Sequence, residues 1–138
     1  MTRISKIFMT VCLWAAASTA VLSQSPAFKR ADLFYENEAY PNAAKLYQAA
    51  LTHDGFDQRA AERLARCYQL TGQYEEAIKW YDLAAAKTVD ASVAYHYAEV
   101  LKMNGNYKKA AEMFDRYGEL SQRYDEARTQ AEACEKAD

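Results

Sequence analysis

The stretch Ala65-Arg66-Cys67-Tyr68, followed by Gly72-Gln73-Tyr74, Ala77, Tyr81 and Ala84-Ala85, decides the fold. Its order recurs on either side. Upstream stand Ala31-Asp32-Leu33-Phe34, Glu38-Ala39-Tyr40, Ala43, Tyr47 and Ala50-Leu51. Downstream stand Ala98-Glu99-Val100-Leu101, Gly105-Asn106-Tyr107, Ala110, Phe114 and Tyr117-Gly118. Tyr40, Tyr74 and Tyr107 are 34 and 33 residues apart (74 − 40 and 107 − 74). A fixed period of this length is the signature of a stacked repeat.

Helical spacing gives the repeat its physical sense. Ala65, Cys67 and Tyr68 put small and aromatic side chains on one side of a first helix. Gly72 supplies a tight turn, where a backbone with positive φ is tolerated. Tyr74, Ala77, Ile78 and Tyr81 fall at i, i+3, i+4 and i+7, the apolar face of a second helix. Small residues at the crossings, Ala65 with Ala77 and Ala98 with Ala110, let paired helices approach closely. Ser25-Pro26 reads as an N-cap followed by proline in the first turn, and Asp57 and Asp90 read as N-caps. Pro41 suits the first turn of a second helix. Helices are expected over 26–37, 41–53, 58–70, 74–87, 91–103, 107–120 and 124–136.

The pattern of small residue, aromatic, Gly-x-Tyr, Ala, aromatic and Ala resembles the tetratricopeptide repeat (TPR) family across residues 24–124. The resemblance implies an all-α, right-handed α-solenoid of three helix-turn-helix units, at 24–57, 58–90 and 91–124. The polar-sided segment 125–138 is expected as the capping helix that a solenoid needs at its open end. There are departures. Ala27, Ala61 and Ala94 hold the early Trp position, Glu38 stands where the turn glycine is expected, and Tyr117 replaces the late alanine. The proline that often closes a unit is missing (Gly55, Val89, Gln122), and the second unit is one residue short.

Composition agrees with helices. After residue 23 the chain has one isoleucine, Ile78, and three valines, Val89, Val93 and Val100. Strands favour β-branched residues, so a β or α/β fold is excluded. Of 11 tyrosines, six (Tyr40, Tyr47, Tyr68, Tyr74, Tyr81, Tyr107) occupy repeat positions and are expected in the core. Their small partners are Ala31, Ala43, Ala50, Ala65, Ala77, Ala84, Ala98 and Ala110.

The N-terminus has its own reading. Arg3 and Lys6 precede an apolar run from Ile7 to Leu22 and a small-residue exit at Val21-Leu22-Ser23. This is the pattern of a secretory signal peptide over 1–23, with an uncleaved membrane anchor as the alternative. Cys12 sits mid-run, with too little apolar sequence before it to serve as an acylation site. An exported chain, periplasmic or outer-membrane associated, is expected. What remains carries 15 basic and 19 acidic residues, a net of −4, which argues against nucleic acid as a partner. Cys67 and Cys134 take the same register two units apart, beyond disulfide reach. Both are expected as buried small hydrophobes, with an intermolecular role for Cys134 as the other reading.

A search for chemistry finds little. The only histidines are His53 and His96. Neither has a partner at metal-ligand spacing, and there is no phosphate loop, nucleophile elbow or HExxH. No enzyme activity, cofactor, metal or small-molecule substrate is expected. Glu75-Glu76 read as solubilising charge.

In the family, the first helices of the units line a concave surface that binds peptides or partner helices. By register that face takes Phe28, Lys29, Asp32, Tyr35 and Glu36 from the first unit. The second unit gives Arg59, Glu62, Arg63, Arg66 and Gln69, and the third Ser92, Tyr95, His96, Glu99 and Lys102. Arg59, Arg63 and Arg66 form a basic stripe at i, i+4 and i+7, flanked by Tyr35 and Tyr95. The candidate groove is therefore Tyr35, Arg59, Arg63, Arg66, Gln69, Tyr95, Glu99 and Lys102. Arginine with tyrosine is typical of binding hot spots. The competing reading has Arg63 and Arg66 paired with Glu62, Asp32 or Glu99. Repeats that clamp a chaperone's C-terminal carboxylate use Lys and Asn, then Asn, then Lys and Arg. Phe28, Asp32, Arg63, Ser92 and His96 stand there instead, which excludes that clamp.

The expected function is a non-catalytic scaffold that binds another protein or peptide in this groove. Phe28-Lys29-Arg30-Ala31-Asp32, Glu36-Asn37-Glu38-Ala39-Tyr40 and the Arg128–Cys134 ending resemble the N-terminal repeat modules of Bacteroidota OmpA-like envelope proteins. That resemblance implies an envelope complex for outer-membrane assembly, secretion or gliding. The alternatives are a self-associating structural module, or a membrane-anchored adaptor if the leader is retained.

Overall fold

The computed structural model describes residues 25–138; the leader 1–23 and Cys12 lie outside the described residues. Seven helices follow in order: α1 (Pro26–Glu36), α2 (Tyr40–His53), α3 (Gln58–Leu70), α4 (Tyr74–Ala85), α5 (Ala91–Met103), α6 (Tyr107–Ser121) and α7 (Tyr124–Ala137). No strand occurs among the described residues. Each helix packs against the next, and α1, α3 and α5 also touch along one side. The result is three helix–turn–helix pairs and a seventh helix closing the row. All bounds lie within two residues of the expected ones.

Caps explain where α1, α3 and α5 begin. Ser25 Oγ accepts from the Ala27 N–H at 3.3 Å, with Pro26 in the first turn. Asp57 and Asp90 accept from Ala60 N–H and Val93 N–H, each at 2.8 Å. A side-chain cap of this kind contributes about 1 kcal/mol.

The ends of the same helices repeat one device. Gln73 N–H donates back to Tyr68 O at 2.8 Å and Gly72 N–H to Gln69 O at 3.1 Å. Asn106 N–H does so to Leu101 O and Gly105 N–H to Lys102 O, at 2.8 and 3.1 Å. Ala39 N–H to Phe34 O and Glu38 N–H to Tyr35 O match them at 2.9 and 3.0 Å. This is the Schellman arrangement, which needs a left-handed residue after the helix. Gly72 and Gly105 supply it at φ 76° and 79°, and Glu38 is forced into it at φ 58°. The missing glycine of the first repeat therefore changes the strain, not the turn.

The eight repeat alanines are all buried. Tyr47 and Tyr81 are buried as expected, but Tyr40, Tyr68, Tyr74 and Tyr107 are only partly so. Three of these are the first residue of their helix, where the pair opens to solvent. The Tyr68 hydroxyl reaches out to Gln48 Oε1 at 3.1 Å. Tyr97 and Tyr117 fill the interior instead. Buried hydroxyls are satisfied: Tyr47 donates to Asp32, Tyr97 to Asp82, and Tyr81 to Gln69 Oε1 at 2.9 Å. Cys67 and Cys134 are free and buried. At the last crossing Gly118 lets α6 and α7 meet closely, since a Cβ there would stand 2.7 Å from Ala127 Cβ.

Candidate partner-binding groove

The side shared by α1, α3 and α5 holds a cleft of ≈ 190 Å³ centred on α3. Its walls are Tyr35 of α1, Arg59, Glu62, Arg63 and Arg66 of α3, and Ser92, Val93 and His96 of α5, with Tyr81 of α4 behind. The i, i+4, i+7 spacing of the arginines places all three on this face.

The arginines differ in what they do. Arg63 Nη1 lies 2.6 Å from Asp32 Oδ1 and 3.9 Å from Glu36 Oε1. It also donates to the Tyr47 hydroxyl at 3.4 Å, and its guanidinium sits 4.8 Å from the Tyr35 ring centroid. Arg63 is thus a strut between α3 and the first helix pair, as the ion-pair reading required. Arg59 and Arg66 form no ion pair among the described residues. Arg59 is exposed and Arg66 half-buried.

Titratable neighbours respond to this field. Burial, and then the Arg66 charge, hold His96 below the usual imidazole range, although Glu99 lies 3.3 Å from its Nδ1. Burial raises the Glu62 carboxyl, partly offset by the hydrogen bond from Gln58 Nε2 at 2.7 Å. Burial also raises Tyr35, with the nearby arginines opposing.

Of the expected groove residues, Tyr35, Arg59, Arg63 and Arg66 come together in the cleft. Glu99 and Lys102 lie further along α5, and Tyr95, although next to His96 in sequence, does not line the cleft. Tyr95 is not beside the arginines; it packs edge-on against Tyr117 and Phe114, at 5.1 and 6.0 Å between centroids. Lys102 Nζ donates to Gln130 of α7 at 3.1 Å and lies over the Phe114 ring. Gln69 is buried and engaged by Tyr81, so it belongs to the helix interface and not to the groove surface. Phe28 likewise turns into the core. Val93 and Tyr81 line the cleft although their spacing reads as pure core. Among the described residues there is no group of three or more His, Cys, Asp or Glu that could hold a metal ion. None of these helices is long and apolar enough to cross a membrane.

A family model described as tetratricopeptide repeat matches residues 28–90. Residues 28–90 thus match the tetratricopeptide repeat family. A second model, for anaphase-promoting complex, cyclosome, subunit 3, matches residues 71–137. Among curated proteins, the low calcium response locus protein H of Yersinia pestis is 32% identical over 77 residues, which are 55% of this chain and 46% of that protein. The chain thus spans about half the length of the curated relatives it matches. Among solved structures, the chain is similar to the Yersinia enterocolitica type III secretion chaperone SycD in complex with a peptide of the translocator YopD. The TM-score is 0.68 at 26% identity, covering 79% of this chain and 89% of that one. It is also similar to YrrB, a TPR protein with an unusual peptide-binding site, with TM-score 0.70 at 25% identity over 79% of this chain and 57% of that one.

Proposed function

We propose that this TPR chain is a protein-interaction scaffold that holds an extended segment of a partner along the face shared by α1, α3 and α5. The observation that carries the reading is the cleft on α3, with two arginines, Arg59 and Arg66, that form no ion pair among the described residues. The likeness to SycD, whose structure contains a translocator peptide, supports a peptide as the occupant. On this reading the partner segment runs on from the cleft along α5 toward Glu99 and Lys102.

The test is site-specific photo-crosslinking in the cell of origin. A photoreactive phenylalanine at Ser92, exposed on the cleft wall, captures a defined partner; the same group at Leu83, exposed on α4, does not. Equal capture from both positions refutes the groove. Arg66→Glu weakens capture from Ser92 while the circular dichroism spectrum is unchanged.

The reading places the scaffold in the bacterial envelope, within outer-membrane assembly, secretion or gliding machinery. Its supports are the basic–apolar–small pattern of residues 1–23 and the resemblance to Bacteroidota envelope modules. A mature chain beginning at Gln24 in the periplasmic fraction supports this placement, and a full-length cytoplasmic chain overturns it.

A further inference from the structure

Resting on the groove reading, we propose that the cleft on α3 is a subsite for one carboxylate side chain. The carboxylate belongs to an Asp or Glu within the partner's extended segment and is received between the guanidinium groups of Arg59 and Arg66.

The argument is one of charge left over. Three arginines line the cleft, and Glu62 is its only acid. Asp32 takes Arg63, Gln58 engages Glu62, and His96 engages Glu99. Arg59 and Arg66 are left without carboxylates among the described residues. They lie seven residues apart on α3, about 10 Å along the axis, and both line the cleft, within the span that two long arginine side chains can close around one anion. Arg63, pinned by Asp32 and stacked on Tyr35, keeps the wall between them rigid. Tyr81 and Val93 provide an apolar back wall for the methylene stem of the acid. Among the lining residues, with Arg63 paired to Asp32, Arg59 and Arg66 against Glu62 leave one positive charge, which one carboxylate balances. Tyr35 of α1 and Ser92 and His96 of α5 flank the arginines on either side, which suits an acid inside a segment that crosses from one helix to the other.

The probe is N-acetyl-glutamate N-methylamide, titrated into the full chain while the arginine Nε–H signals are followed by NMR. The Arg59 and Arg66 signals are expected to shift saturably, and those of Arg116 and Arg128 on the outer surface to stay. The neutral glutamine analogue is expected to bind about tenfold or more weakly, as loss of charge-assisted hydrogen bonds requires. Arg59→Gln with Arg66→Gln abolishes the preference. Equal binding of the glutamine analogue, or shifts spread over all arginines, overturns the proposal. Tighter binding by inorganic phosphate or by the main-chain carboxylate of N-acetyl-alanine overturns the assignment to an internal acid. Crosslinking from Ser92 separates the two ideas: if it persists while the probe shows no selectivity, only the subsite fails. If nothing crosslinks, the groove itself fails.

Discussion

Replacing Gly118 by alanine tests the packing account most sharply, because two effects of opposite sign compete at that residue. Gly118 lies inside α6, where alanine normally gains about 0.5–1 kcal/mol over glycine. A Cβ at this position stands 2.7 Å from Ala127 Cβ, on α7. Carbon atoms rest at about 3.5–4.0 Å, so the two helices must part by roughly 1 Å. The obstacle is a methyl group fixed to a helix, which cannot swing aside. Overpacking of this kind costs about 1–3 kcal/mol, so the net expectation is a loss of up to about 2.5 kcal/mol, centred near 1. For a domain of this size that corresponds to a fall in Tm of roughly 2–8 °C. The assay is thermal and urea unfolding followed by circular dichroism. Adding Ala127→Gly moves the methyl from one helix to the other and should restore a near-native midpoint. A Gly118→Ala chain that is more stable than its parent refutes the close approach of α6 and α7.

Three further outcomes are expected. Glu38 holds a left-handed backbone that costs a non-glycine residue about 1–2 kcal/mol, and its side chain is exposed, so Glu38→Gly should raise the unfolding free energy by up to about 1 kcal/mol, seen as a higher urea midpoint. Burial pushes the Cys67 thiol up to about 12 and raises that of Cys134, so iodoacetamide at pH 8 should leave both unmodified in the folded chain and modify both in urea. Peptide mass spectrometry reads each site apart from Cys12. Burial first, then the hydrogen bond to Asp82, raises the Tyr97 phenol to about 12; Tyr47 and Tyr81 are raised as well. Their contribution to stability is fully present below the unfolded phenol value of about 10 and is lost as pH rises through the folded one. The urea midpoint should therefore fall between pH 10 and 12, with these phenols ionising late in absorbance titration; a flat midpoint contradicts their burial.

The helices were legible because each signal is local. A cap, a helical stripe and a Schellman turn are each written within a few residues, and all three recur here. Glu38 looked like a defect and proved to hold the same turn, because hydrogen bonding back to Phe34 and Tyr35 outweighs the strain of one left-handed residue. The site was less legible. Register placed Arg59, Arg63 and Arg66 on one face, but only the fold shows which of them is already committed. Asp32 is 31 positions from Arg63, and either neighbour of the stripe could have taken that role. Gln69 and Tyr95 failed for a related reason: both lie near the edge of the helix face, where one rotamer decides between groove and interior. Gln69 turned to Tyr81, and Tyr95 to the aromatics of α6.

Since each helix leans chiefly on its immediate successor, few contacts require distant parts of the chain to find one another. Low contact order of this kind goes with folding in microseconds to milliseconds. The first pair can therefore assemble while the last is still being made, each finished pair offering the next a surface to fold against. Arg63 then has a temporal role as well as a spatial one. Its bond to Asp32 closes when α3 arrives, and the cleft exists only once α5 follows.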